Sequence, residues 1–368
     1  MKEILRTMAN EAGAYAVGFA GEERLKGPQS MNPEYLLPGA KSIISLMIPL
    51  DKDIVKRYLA KEDHQSYWDH SETIYKKLYT IGEIMTTLLK KNGYKAFTAE
   101  PNFDYRFKDK IKYRLIPYSF RQWLVDWLSA PAGRIGRNIR KAIVAVLYKR
   151  VDDGVDWNLT PSYSNRYGAV AAGIGTFGWS GNILHPEHGA LGLYLTVVTT
   201  APFESDPMIE ETLCDGCRTC VKVCQSGFIE AKHKAVVEIG GRAFTHNKKN
   251  HNLRCILVCA GFTGQSKFKD WSTWSPGKFD IPEKDDILGN FWSQFLKKNL
   301  WQENYNSKNI SNVVFMDHYG PIRAPELRFP PTCGNCQLVC FPSRKERKEN
   351  YEIIKNSGCN ISIENSLQ

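Results

Sequence analysis

Ten cysteines occur in the 368 residues, and the spacing of most of them is a spacing that does chemistry. Residues 214 to 224 read Cys-Asp-Gly-Cys-Arg-Thr-Cys-Val-Lys-Val-Cys, a C-x2-C-x2-C-x3-C run, and residues 333 to 340 read Cys-Gly-Asn-Cys-Gln-Leu-Val-Cys, three quarters of the same pattern. Such runs hold [4Fe-4S] cubanes in two-cluster proteins. Tight turns bring three thiolates to one corner of a cubane, while the fourth, on the helix that follows, points at the other cubane. Two runs therefore exchange their fourth ligands. Cluster one is expected on Cys214, Cys217, Cys220 and Cys340, and cluster two on Cys224, Cys333, Cys336 and one distant thiolate. Cys255 and Cys259 compete for that place. Cys255 is preferred because the preceding loop ends there and Cys259 falls about one helical turn later. A pair of zinc sites would also use C-x2-C pairs, but has no need of the reciprocal x3 cysteine. The proline that usually follows the fourth cysteine is replaced by Gln225 in the first run and displaced to Pro342 in the second; Cys359 is left over.

Ahead of the first run lies Pro161-Ser162-Tyr163-Ser164-Asn165-Arg166, then Ala171-Ala172-Gly173-Ile174-Gly175-Thr176-Phe177-Gly178-Trp179-Ser180-Gly181-Asn182. His185-Pro186-Glu187-His188-Gly189-Ala190-Leu191-Gly192 and a strand ending at Thr199 follow. This succession of glycine loop, asparagine, turn, strand and two cysteine runs resembles the epoxyqueuosine reductase and reductive dehalogenase superfamily over roughly residues 1 to 345. The resemblance implies a nitroreductase-like domain that binds cobalamin and a ferredoxin-like domain with two [4Fe-4S] clusters. It assigns cofactor contacts to Ser164, Asn165, Gly173, Gly175, Gly178, Gly181 and Asn182, the glycines letting backbone approach a flat macrocycle closely. No Asp-x-His-x-x-Gly string supplies a cobalt-ligating histidine, so the base-off form of the cofactor is expected. Gly173 to Gly178 also fits Gly-x-Gly-x-x-Gly, but it stands late in the domain and leads into a turn, against a nicotinamide site.

The same resemblance implies that an external donor such as ferredoxin or flavodoxin feeds the clusters. These reduce the corrinoid to Co(I), which cleaves a carbon–heteroatom bond of a small organic substrate while an acid supplies a proton. The stretch before the glycine loop lacks the aspartate that epoxyqueuosine reductases carry there, so Tyr163 is the candidate donor, with Asp156, Asp153 and Tyr148 as rivals. Arg166 is placed to stabilise a developing anion or a polar group of the cofactor. Only 28 residues follow Cys340, with no helical-repeat tail, so tRNA is not expected as a partner. Two other readings stand beside this one: an electron-transfer protein that reduces a partner's corrinoid, and a tRNA-modifying reductase whose affinity would fall steeply with salt.

Alternating helices and strands must position these groups. Ile4, Leu5 and Met8 mark a short amphipathic helix, and apolar residues recur at three- and four-residue steps from Ile74 to Leu89, with Ser71 as the expected N-cap and Gly93 as the stop. Tyr15 to Ala20, Ser42 to Ile48, Tyr94 to Ala99 and Leu191 to Thr200 read as strands, the last apolar enough to be buried on both faces. The fold class expected is α+β or α/β: a corrinoid-binding domain over 1–205, a two-cluster domain over 206–345 with an aromatic-rich insertion at about 260–331, and a tail over 346–368.

The net charge of +10 is concentrated between residues 101 and 150, which hold 12 Lys/Arg against 3 Asp/Glu. A basic amphipathic helix within about 120–150 offers a surface for an anionic membrane or a phosphate-bearing ligand; the plainer reading is a core-packed helix with a solvated face. With 42% hydrophobic and 24% charged residues the chain is an ordinary globular one, and disorder, collagen and coiled coil are excluded. No run of 18 apolar residues, no apolar signal core and no twin-arginine pair occurs, so a cytoplasmic protein is expected, whose clustered cysteines are metal ligands and not disulfides.

Overall fold

The computed structural model describes residues 1–99, 106, 160–259, 263–264, 271–275, 280–285 and 332–357. The basic segment, apart from Arg106, lies outside the described residues, as do Tyr148, Asp153, Asp156 and Cys359. In chain order the elements are α1 (Lys2–Glu11), β1 (Ala16–Gly21), β2 (Ser42–Pro49), α2 (Lys52–Leu59), α3 (His64–Lys91) and β3 (Ala96–Ala99). Then come α4 (Asn165–Ala171), β4 (Thr176–Phe177), β5 (Ile183–Leu184) and β6 (Gly192–Thr199). The cysteine-bearing part holds α5 (Thr219–Lys222), β7 (Lys234–Ile239), β8 (Arg242–Asn247), α6 (Asn252–Cys259), α7 (Asn335–Leu338) and α8 (Arg344–Asn356).

A four-stranded sheet in the order β1-β2-β6-β3 carries the core, and every neighbouring pair is antiparallel. The period of two sorts its side chains onto two faces. Phe19, Ile44, Leu46, Leu195 and Val197 join Leu78, Ile81 and Met85 of α3, while Ala20, Ile43, Met47, Tyr194 and Val198 join Ala169, Val170 and Ala171 of α4. All eight residues of β6 are buried, as its composition foretells. The double burial comes from helices on both faces of an antiparallel sheet, so the class is α+β.

Helix α3 starts before the expected residue. Asp63 caps it, its carboxylate accepting from the Ser66 N–H, whereas Ser71 sits about two turns further in with its hydroxyl donating to the Tyr67 carbonyl. Tyr67, buried against the ring of Tyr58 at 4.2 Å, anchors the two additional polar turns that an aliphatic stripe does not reveal.

Chain contacts divide the molecule into two compact units, one built from Met1–Pro101, Tyr163–Glu303 and Pro330–Gln368, the other from Asn102–Ser162 and Asn304–Phe329. Within the second, Arg106 donates to the carbonyls of Pro161 and Ser162. The first unit contains the sheet and all the described cysteines. Its core continues through Val223, Leu338, Val339, Phe341 and Ile354, so α8, which begins the stretch read as a tail, is a packed helix with a capping box at Ser343 and Glu346. Trp271 is buried in this same core, and Trp274 packs on Tyr58 and His64. Among the described residues no helix is long and apolar enough to cross a membrane.

Candidate metal centres and the glycine loop

The first cysteine run is bent by two local devices. The Asp215 carboxylate accepts from the Cys217 N–H at 3.2 Å and from the Arg347 guanidinium at 2.6 Å, and Arg218, left-handed at φ 58°, turns the chain into α5 with Cys220. The second run repeats the pattern with Gly334 at φ 112° ahead of α7, which carries Cys336. Cys340 then emerges beside the first run, where the N–H of Ala190 donates to its carbonyl. One cavity is lined by Cys214, Cys217, Cys220 and Cys340, with Trp179 and Arg218 at its wall. Burial, with the neighbouring thiols adding to it, pushes both Cys220 and Cys340 up to about 12.

The remaining described cysteines gather elsewhere. Burial pushes Cys224 up to about 11, with Cys255 and Cys333 as its thiol neighbours, and raises Cys336, whose neighbours are Cys255, Cys224 and Cys333. Cys255 and Cys259 stand one turn apart on α6 with sulfurs 3.9 Å from each other; Cys259 contacts Cys333 as well. Both candidates for the distant ligand therefore reach the second set: Cys259 touches Cys333, and Cys255 lies within electrostatic reach of Cys224, Cys333 and Cys336. Gln225, in the place of the usual proline, is buried between the Cys333 sulfur and the Gly264 carbonyl.

Crowded, buried thiols resist ionisation unless a cationic group compensates them, and a polynuclear iron core does so while releasing their protons. Among the described residues no group of three or more His, Cys, Asp or Glu side chains is drawn together for a single ion. The first set rings its cavity instead, a donor set that fits a cubane.

Ser164 caps α4 by accepting from the Tyr167 N–H, and Asn165 is buried at the first helical position. The glycines after the helix are filled by protein. A side chain on Gly173, at φ 74°, would sit 2.1 Å from the Pro207 carbonyl oxygen; Gly175 and Gly178 are closed by Leu184, and Gly181 by Lys249. Backbone closes Gly173 and Gly175, whereas Gly178 and Gly181 meet only side-chain atoms, chiefly of Leu184 and Lys249.

The loop instead touches sulfur, a role its glycines do not advertise. The Trp179 N–H donates to Cys214 Sγ at 3.3 Å, and Asn182 Nδ2 donates to Cys336 Sγ at 3.7 Å, one contact to each thiol set. Trp179 is held by its Nε1–H on the Glu230 carbonyl and by the Arg218 guanidinium stacked over its ring. Arg166 donates to the Gly181 carbonyl at 3.3 Å.

Tyr163 lies on the α4 face of the sheet. Its hydroxyl, that of Tyr194 and those of the register partners Ser45 and Thr196 are buried and have no hydrogen-bond partner. Thr196 Oγ1 and the Tyr163 ring both border Gly168. Burial holds the two phenols above their ordinary value. Each unsatisfied hydroxyl costs about 1–3 kcal/mol, so the α4 face of the sheet carries four uncompensated polar groups.

No family model matches the chain, and no curated protein matches it. Among solved structures, a catabolic reductive dehalogenase is similar at 14% identity over 70% of this chain and 28% of its own, with a TM-score of 0.43. An epoxyqueuosine reductase is similar at 16% identity over 73% of this chain and 59% of its own, TM-score 0.37, and the epoxyqueuosine reductase of Streptococcus thermophilus at 14% over 66% and 56%, TM-score 0.34. The chain spans less than two thirds of the length of each.

Proposed function

We propose that the protein is an iron–sulfur oxidoreductase whose two cubanes, on Cys214, Cys217, Cys220 and Cys340 and on Cys224, Cys255, Cys333 and Cys336, deliver electrons to a base-off corrinoid. The reaction we assign is reductive cleavage of a carbon–heteroatom bond in a small organic substrate, with ferredoxin or flavodoxin as the class of donor. The carrying observation is the cavity that three thiols of the first run share with the last thiol of the second.

When bound, a corrinoid supplies the low-valent cobalt chemistry that breaks such bonds. The chain's part is to orient, to exclude water and to hold a proton. The unpartnered hydroxyls of Ser45, Tyr163, Tyr194 and Thr196 support a polar ligand on the α4 face. Tyr163, raised by burial, keeps its proton at neutral pH and can release it to a carbanion, a far stronger base.

Anaerobic reconstitution with iron and sulfide, followed by cobalamin titration, tests this reading. About eight iron atoms per chain and a base-off cobalamin spectrum are expected; stoichiometric zinc with no visible absorbance overturns it. A second reading, an electron carrier without a substrate of its own, is favoured by one observation: the four loop glycines already have protein neighbours. Eight irons without cobalamin binding would select it.

A further inference from the structure

Two cations stand beside the second thiol set without a carboxylate to match them. Arg166 Nη1 donates to the Gly181 carbonyl, and Lys249 packs over the same glycine, its Nζ 3.1 Å from the position a Cβ would take there. The next residue, Asn182, reaches Cys336 Sγ with its amide. Lys249 also lies over the Phe228 ring at 5.6 Å, and Phe228 and Cys336 both pack against the apolar cluster of Cys220, Cys224 and Ile229. Its backbone is fixed on both sides, since the Lys248 N–H donates to the His233 carbonyl and the Asn250 N–H to the Phe228 carbonyl. Among the described residues neither Arg166 nor Lys249 forms an ion pair, and both lie within electrostatic reach of Cys255. The first set has cations of its own, Arg347 matched by Asp215 at 2.6 Å and Arg218 over the Trp179 ring.

A four-thiolate cubane is anionic and becomes more so on reduction. A fixed cation in a partly buried site therefore favours the reduced form, as does an N–H donated to a ligand sulfur. Resting on the two-cluster reading above, we propose that Lys249 is a positioning charge which, with Arg166 and the Asn182 amide, raises the reduction potential of the second cluster.

Redox titration of the reconstituted protein, followed by the spin signals of the two clusters, tests the proposal. Lys249→Met should make one-electron reduction of a single cluster at least tenfold harder, which is 59 mV for one electron, at unchanged iron and sulfide. The other cluster's step should stay in place, and Lys249→Arg should restore the lost potential. Unmoved potentials in an iron-replete Lys249→Met protein, equal shifts of both clusters, or no recovery with arginine would each overturn it. Should the methionine variant lose iron, Lys249→Gln is titrated by the same criterion. Absence of cubanes from the unaltered protein would instead overturn the two-cluster reading itself.

Discussion

Gly173→Ala separates a glycine kept for a bound macrocycle from one kept for packing. At φ 74° an alanine carries about 1–2 kcal/mol of backbone strain. Its methyl would then lie 2.1 Å from the Pro207 carbonyl oxygen and 3.1 Å from the Pro207 carbonyl carbon. Backbone atoms cannot rotate aside as a lysine tip can, so the segment at Pro207 must move by about 1 Å to reach ordinary contact, at a further cost of about 1–3 kcal/mol. The sum is about 2–5 kcal/mol. Gly93→Ala is the control, because Gly93 has a comparable φ of 83° and nothing within 4 Å of its missing Cβ, so it should show the strain alone. Urea midpoints of the reconstituted protein, measured with and without cobalamin, give the comparison. Gly173→Ala should shift the midpoint at least twice as far as Gly93→Ala, equally with and without cobalamin. Equal shifts for the two variants, or a Gly173→Ala effect seen only with cobalamin, would refute the packing argument and return the glycine to the cofactor.

Cys340→Ser should damage the cluster served by the first run, removing between one and four of about eight irons, while Cys224→Ser damages the other; iron analysis with spin spectroscopy decides, and damage confined within each run would sink the crossed arrangement. Cys255→Ser should impair the second cluster and Cys259→Ser leave it nearly intact, read by the same signal. Tyr163→Phe should lower turnover about a hundredfold or more at unchanged iron and cobalamin content, and full activity would leave the tyrosine a core residue. Asp206 accepts from Lys2, from Arg6 Nη2 at both carboxylate oxygens and from the Phe19 N–H. Burial opposes its ionisation, yet these donors prevail and hold it below its ordinary 3.8. Because the folded value is the lower one, the stabilisation is present above 3.8 and lost as pH falls through the folded value. Asp206→Asn should therefore cost about 1–2 kcal/mol at pH 7, with the difference from the unaltered protein closing in acid, as urea midpoints across pH will show.

Spacing along the chain settled much about this molecule. The C-x2-C-x2-C-x3-C run closes through turns a few residues long, such as Asp215 on the Cys217 N–H, and the apolar completeness of β6 announced burial on both faces before any partner strand was known. These are local consequences of thiol geometry and of the period-two strand, and they hold whatever the rest of the chain does. Other features depended on contacts between distant segments. The loop from Gly173 to Asn182 looks like a ligand cradle in one dimension, yet its empty side-chain positions are taken by Pro207, Leu184 and Lys249, and its polar atoms face Cys214 and Cys336. The cap of α3 at Asp63 required Tyr67 to be buried on Tyr58, and the packing of α8 required a core shared with Val223 and Phe341. Spacing sets only which groups can meet within a turn or two. Which distant backbone fills the space over a glycine follows from how the sheet, its covering helices and the cysteine runs share one core, and that is decided only when they pack.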